Sequence, residues 1–147
     1  MAIIALILAM FCVLPVVSGA CCPSYWTAYN GKCYRLFEDK YEWGTAENVC
    51  VNQQGGHLVS VVDLAEHNFL KYLVFGHTDL IWLGGNDIAA EGQWQWTDGT
   101  EYKFSAWNSG EPDGGTKQDC ILWFPHGNWV DDYCYEKRHF ICERPSS

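Results

Sequence analysis

The residues best equipped for chemistry lie between Glu111 and Asp131. The stretch reads Glu111-Pro112-Asp113-Gly114-Gly115-Thr116-Lys117-Gln118-Asp119-Cys120, then an apolar run, a Pro125-His126-Gly127-Asn128 turn, and Trp129-Val130-Asp131. Glu111, Asp113, Asp119 and Asp131 supply carboxylates and Gln118 a carboxamide, with no thiol or imidazole among these donors. Hard oxygen ligands at this density suit a hard cation such as calcium. A catalytic reading has less to work with. No Gly-x-Ser-x-Gly or His-Glu-x-x-His occurs, and the histidines at 57, 67, 77, 126 and 139 lack helical metal spacing. They are expected at the surface or as satisfied core residues, and the chain is not expected to be an enzyme.

Composition narrows the setting for such a site. Residues 2–17 carry no charged side chain, and Ser18-Gly19-Ala20 has the small-x-small form of a signal peptidase site. Residues 1–20 therefore read as a secretory signal, leaving one domain over residues 21–147 and a secreted, extracellular protein without membrane insertion. All eighteen acidic and nine basic residues follow the signal, giving the mature domain a net charge of −9. That charge argues against nucleic acid and anionic membrane surfaces as partners. Of eight cysteines, Cys12 leaves with the signal, and the remaining seven read as disulfide partners of a secreted domain, one of them in excess.

The elements that must position the oxygens follow from spacing. Cys22 to Phe37 alternates aromatic and polar residues around Asn30-Gly31, a hairpin turn signal, and a bridge from Cys22 to Cys33 would staple such a hairpin, leaving Cys21 over. Ala46, Val49 and Cys50 predict a first helix over 43–54, stopped by Gly55-Gly56. Asp63 with Glu66 predicts an N-cap for a second helix whose apolar face is Leu64, Phe69, Leu70 and Leu73. Beyond Gly76 strands are expected at Trp82-Leu83, Trp94 and Trp96, Ile121 to Phe124, Trp129, and His139 to Cys142, with a long irregular loop region from Gly84 to Gln118. Two helices followed by strands indicate an α+β domain with antiparallel sheets.

Taken in order, these residues resemble the C-type lectin domain family in its long form. Cys22-Pro23 with Trp26 and Cys33-Tyr34 resembles the family's extra N-terminal hairpin. Gly56-His57-Leu58-Val59-Ser60, Trp82-Leu83-Gly84-Gly85, Glu91-Gly92-Gln93-Trp94 with Trp96 and Asp98-Gly99, and Cys120, Trp129, Cys134 and Phe140-Ile141-Cys142-Glu143 follow in register. The resemblance covers residues 22–143 and implies bridges Cys22–Cys33, Cys50–Cys142 and Cys120–Cys134. With Cys21 left over, an intermolecular disulfide giving a covalent homodimer is expected.

The resemblance also implies a calcium ion that holds a sugar diol directly. Glu111-Pro112-Asp113 matches the family's ligand tripeptide, with a cis peptide before the proline, and Asp131 matches its final acid. Gln118 stands where a Glu is expected, and Val130 where an Asn is expected. Asp87, Glu91 and Asp119 match a second calcium site, where Gly114 replaces an acid that is common in relatives. Glu111-Pro112-Asp113 is a hybrid of the mannose-type and galactose-type tripeptides, so both sugars are candidates. Trp107 or Trp123 is expected to offer a stacking face for a sugar. The function implied is a secreted, calcium-dependent lectin for glycans on microbes, cells or self glycoproteins, with avidity from dimerisation. The alternative, favoured by Gln118 and Val130, is a domain of the same fold that has lost sugar binding and recognises a protein, mineral or ice surface.

Overall fold

A computed structural model describes residues 21–147; the expected signal segment, with Cys12, lies outside them. Asn30 and Gly31 both take positive φ, 45° and 80°, and turn β1 (Thr27–Tyr29) back on β2 (Lys32–Tyr41). This is the primed hairpin turn that an Asn-Gly pair favours. The helix α1 (Trp43–Gln54) buries Trp43, Ala46 and Cys50, and Gly55 ends it in the left-handed conformation. After the short β3 (His57–Leu58), Asp63 caps α2 (Leu64–Leu73) by accepting from the Glu66 amide at 2.7 Å. Glu66 reaches back at 2.8 Å to the amide of Val62, one residue before the N-cap, and not to the amide of Asp63 itself that the reciprocal pattern would engage.

The remaining strands are β4 (Ile81–Asn86), β5 (Gln95–Trp96), β6 (Cys120–Trp123), β7 (Trp129–Asp132) and β8 (Arg138–Pro145). Together with the first three they make one 8-stranded sheet in the order β1-β2-β8-β4-β6-β7, with β3 on β8 and β5 on β4. One expectation needs refining. The antiparallel sheets form a single mixed sheet, because β4 and β8 pair in parallel. Between β5 and β6 the only helical turn among the described residues is a 3-10 segment, Gly115–Lys117.

Three disulfides join Cys22 to Cys33, Cys50 to Cys142 and Cys120 to Cys134, the pairing the resemblance implies. Cys21 and Ser147 exchange backbone hydrogen bonds at 3.2 and 3.3 Å, so the two ends of the domain are zipped together. The core beneath the loop region is aromatic. Trp129 is fully buried and meets Trp96, Trp107 and Phe104 edge-on at 5.7, 6.0 and 5.8 Å. A second cluster, around Trp43, Trp82 and Phe140, packs α1 on the sheet, and the Trp43 indole donates to the Leu83 carbonyl at 2.8 Å.

Candidate functional site

β7 alternates its side chains, as a strand must. Trp129 and Asp131 are buried, while Val130 packs from its side against the second core cluster. Asp131 is thereby held under the loop, where its carboxylate accepts from the amides of Asp113 at 3.1 Å and Gly114 at 2.9 Å. Those bonds fold the 111–114 segment over the end of β7. The Glu111-Pro112 peptide is cis, as the resemblance implies. Carboxylate oxygens of Glu111, Asp113 and Asp131 come within 4.8 Å of one another.

A second triad forms beside the first. Asp87 directly follows β4, and its amide donates to the Asp119 carbonyl at 3.1 Å, which ties the start of β6 to the loop. Asp87, Glu91 and Asp119 again bring carboxylate oxygens within 4.8 Å. The Gly92 amide donates to Asp87 at 2.7 Å.

Both triads carry the marks of an unmet charge requirement. Burial pushes the Glu111 carboxyl up, reinforced by Asp131 and Asp113 beside it. Burial does the same to Asp87, with Asp119 and Asp131 adding to it, while the Gly92 amide pulls the other way. Glu91 is raised as well, by desolvation and then by Asp87, Asp119 and Asp131, so the two triads feel each other's charge. One Glu111 oxygen (Oε2) and one Asp87 oxygen (Oδ1) are buried without a hydrogen-bond donor. A buried carboxylate oxygen with no donor is costly, and a cation at each triad would satisfy it. The donor sets therefore fit calcium.

Gln118 has a different place from the acids. Its side chain lies against Gly114 so closely that a β-carbon there would collide with it. Sequence comparison marks Gly114 as a departure from an expected acid; the structure supplies the reason, since only glycine leaves room for Gln118. One aromatic expectation is corrected. Trp123 is fully buried and cannot offer a face to a sugar, because β6 turns it into the core beside His67. Trp107 is half-buried, edge-on to Trp94 at 4.8 Å. His67 is buried against Phe104, Trp123 and Trp129 with neither ring nitrogen bonded, rather than satisfied as expected. Burial pushes its pKa down to about 4, so the ring is neutral at physiological pH.

Sequence reasoning missed a polar cluster outside the two triads. The Ser60 hydroxyl lies within hydrogen-bond distance of both Glu143 of β8 and Asp98, at 2.9 and 2.8 Å, and the Lys32 ammonium of β2 donates to Glu143 at 3.0 Å. Tyr34 donates to Glu66 within the same cluster. Lone acids scattered along a sequence carry no signal that they converge. The signal available was the Glu143 that ends the last motif.

A family model described as the lectin C-type domain matches residues 39–144. Echinoidin from Heliocidaris crassispina is 38% identical over 143 residues, covering 85% of this chain and 97% of that protein. Human C-type lectin domain family 17, member A is 37% identical over 126 residues, 86% of this chain, and the chain spans only 33% of that protein's length. Among solved structures, herring type II antifreeze protein superposes with a TM-score of 0.81 at 28% identity, covering 86% of this chain and all of the other. None of the described helices is long and apolar enough to cross a membrane.

Proposed function

Because the chain belongs to the C-type lectin domain family, a family of carbohydrate-binding domains that are not enzymes, we propose that it binds glycans through calcium held by Glu111, Asp113 and Asp131. Gln118 stands at the edge of that cluster as a neutral oxygen donor, and Asp87, Glu91 and Asp119 hold a second ion. Bound calcium would supply spare coordination positions for a pair of adjacent sugar hydroxyls. The protein's part is to fix the ligands beforehand. Asp131 does so by accepting two loop amides, and the buried Trp129 anchors the strand beneath it. The observation that carries the proposal is the buried, donor-less oxygen in each triad.

The sugar proposed is a mannose- or galactose-type diol, since Glu111-Pro112-Asp113 combines features of both tripeptides. Secretion through residues 1–20 and a homodimer linked through Cys21 belong to the same reading. The dimer is motivated by the odd cysteine count after signal removal, and a purely monomeric band on non-reducing electrophoresis would remove it. Retention of the purified protein on immobilised mannose or galactose, with elution by a chelator, tests the lectin itself.

Two observations favour a second reading, binding of a non-sugar surface. Val130 is turned into core packing, and Gln118 brings no charge to the loop. The likeness to an antifreeze protein is compatible with that reading. Failure to bind either resin, with and without calcium, selects it over the first.

A further inference from the structure

Away from the acid cluster the surface continues as two depressions that meet at Thr78. The first, about 300 Å³, is lined by Thr78, Asn108, Phe124, Pro125, His126 and Gly127. Its Asn108 carbonyl accepts from the Glu111 amide at 3.1 Å, so one end of this depression adjoins the candidate calcium site. The second, about 200 Å³, is lined by Thr78, Lys40, Asp79, Leu80, Lys137 and Arg138. Three of the chain's nine lysines and arginines thus face one small pocket on a molecule of net charge −9.

Strand pairing explains the convergence. Tyr41 of β2 is in register with Arg138 of β8, which sets Lys40 beside the Lys137-Arg138 pair. The single acid on the pocket wall, Asp79, is already shared by Lys40 and His139, each at 3.0 Å. Asp132 and Glu136 hold one end of the Arg138 guanidinium at 3.1 and 3.7 Å, while its Nε has no protein partner. Lys137 enters no hydrogen bond or ion pair among the described residues. Lys137 and the Arg138 Nε are thus donors with no protein acceptor, on a molecule whose net charge elsewhere repels anions.

We propose that this pocket is a subsite for a sulfate ester on a glycan, whose adjoining sugars run along the Phe124–His126 depression to the acid cluster. A sulfate ester carries a fixed negative charge and three outward oxygens, matching ammonium and guanidinium groups delivered by two strands. The sugar rings between would lie against Phe124, which is 40% exposed. The far end of this path rests on the lectin reading above. The pocket itself needs no calcium.

The test is fluorescence anisotropy of a labelled heparin hexasaccharide and its desulfated counterpart, with calcium and with chelator, on the purified protein and on K40Q/K137Q. Both lysines lie at the surface and the Lys40–Asp79 pair is exposed, so the variant is expected to fold, checked by near-UV circular dichroism. Wild type should prefer the sulfated form by about tenfold, and the variant should lose that preference while keeping its retention on neutral sugar resin. Inorganic sulfate should displace the probe better than chloride at equal ionic strength if the sulfate group itself is read. Equal binding of the two hexasaccharides, or a preference that K40Q/K137Q leaves intact, overturns the proposal. A sulfate preference that persists in chelator and vanishes in the variant, in a protein that ignores neutral sugars, upholds the pocket and removes the calcium-site reading instead.

Discussion

Glu143 shows how a single carboxyl can set the pH response of the domain. It is 4% exposed, and burial, with Asp98 beside it, pushes its pKa up to about 8 despite the Lys32 ammonium. Its ordinary value is 4.5, so the folded state holds this proton more tightly than the unfolded chain does. The stabilisation is complete below the unfolded value and is lost as pH rises through the folded one. Stability should therefore fall between about pH 5 and pH 8. Glu143→Gln, which keeps the neutral shape, should flatten that decline, with a difference between the two pH values of about 2 kcal/mol. Denaturant midpoints for both proteins at the two pH values measure it, and parallel declines would refute the assignment. None of this was legible beforehand, because Asp98, Lys32 and Glu143 are far apart in sequence and meet only through the sheet. The acids of the loop were easier, since four of them fall within 21 positions of one stretch, from Glu111 to Asp131.

Elements were largely readable where local chemistry decides them. Asn30-Gly31, the Asp63–Glu66 cap and the Gly55 stop all act within a few residues and sit where their chemistry predicts. Pairing between distant strands was not readable: the parallel contact of β4 with β8 depends on the whole fold. The adjacent glycines at the end of α1 illustrate both levels. Gly55 serves the helix, with φ at 70°, while Gly56 serves the sheet, because a β-carbon there would collide with the Glu143 carbonyl across the β3–β8 pair. Gly56→Ala should therefore push β3 off β8 and cost about 2 kcal/mol, read as a lowered thermal midpoint. An unchanged midpoint would show that the two strands can part without loss.

At the scale of the whole molecule, the domain is an acidic body with its metal-binding candidates on the segments between β4 and β6 and on β7, and its basic side chains partly gathered in one pocket. The Cys50–Cys142 bridge, closing a separation of 92 residues, ties α1 to the last strand. The fold class could be read from ordered motifs, since many weak signals in sequence agree on one architecture. The state of the loop could not, because Gln118 and Val130 change the ligand set without announcing how the chain adjusts. The central claim is that the Glu111, Asp113 and Asp131 cluster holds calcium, on which sugar binding then depends. Isothermal titration of calcium into the purified protein and into Asp131→Asn tests it most directly. Saturable binding by the wild type, weakened about tenfold or more in the variant, is the predicted result. No calcium heat in the wild type, or the same isotherm for both proteins, would contradict it.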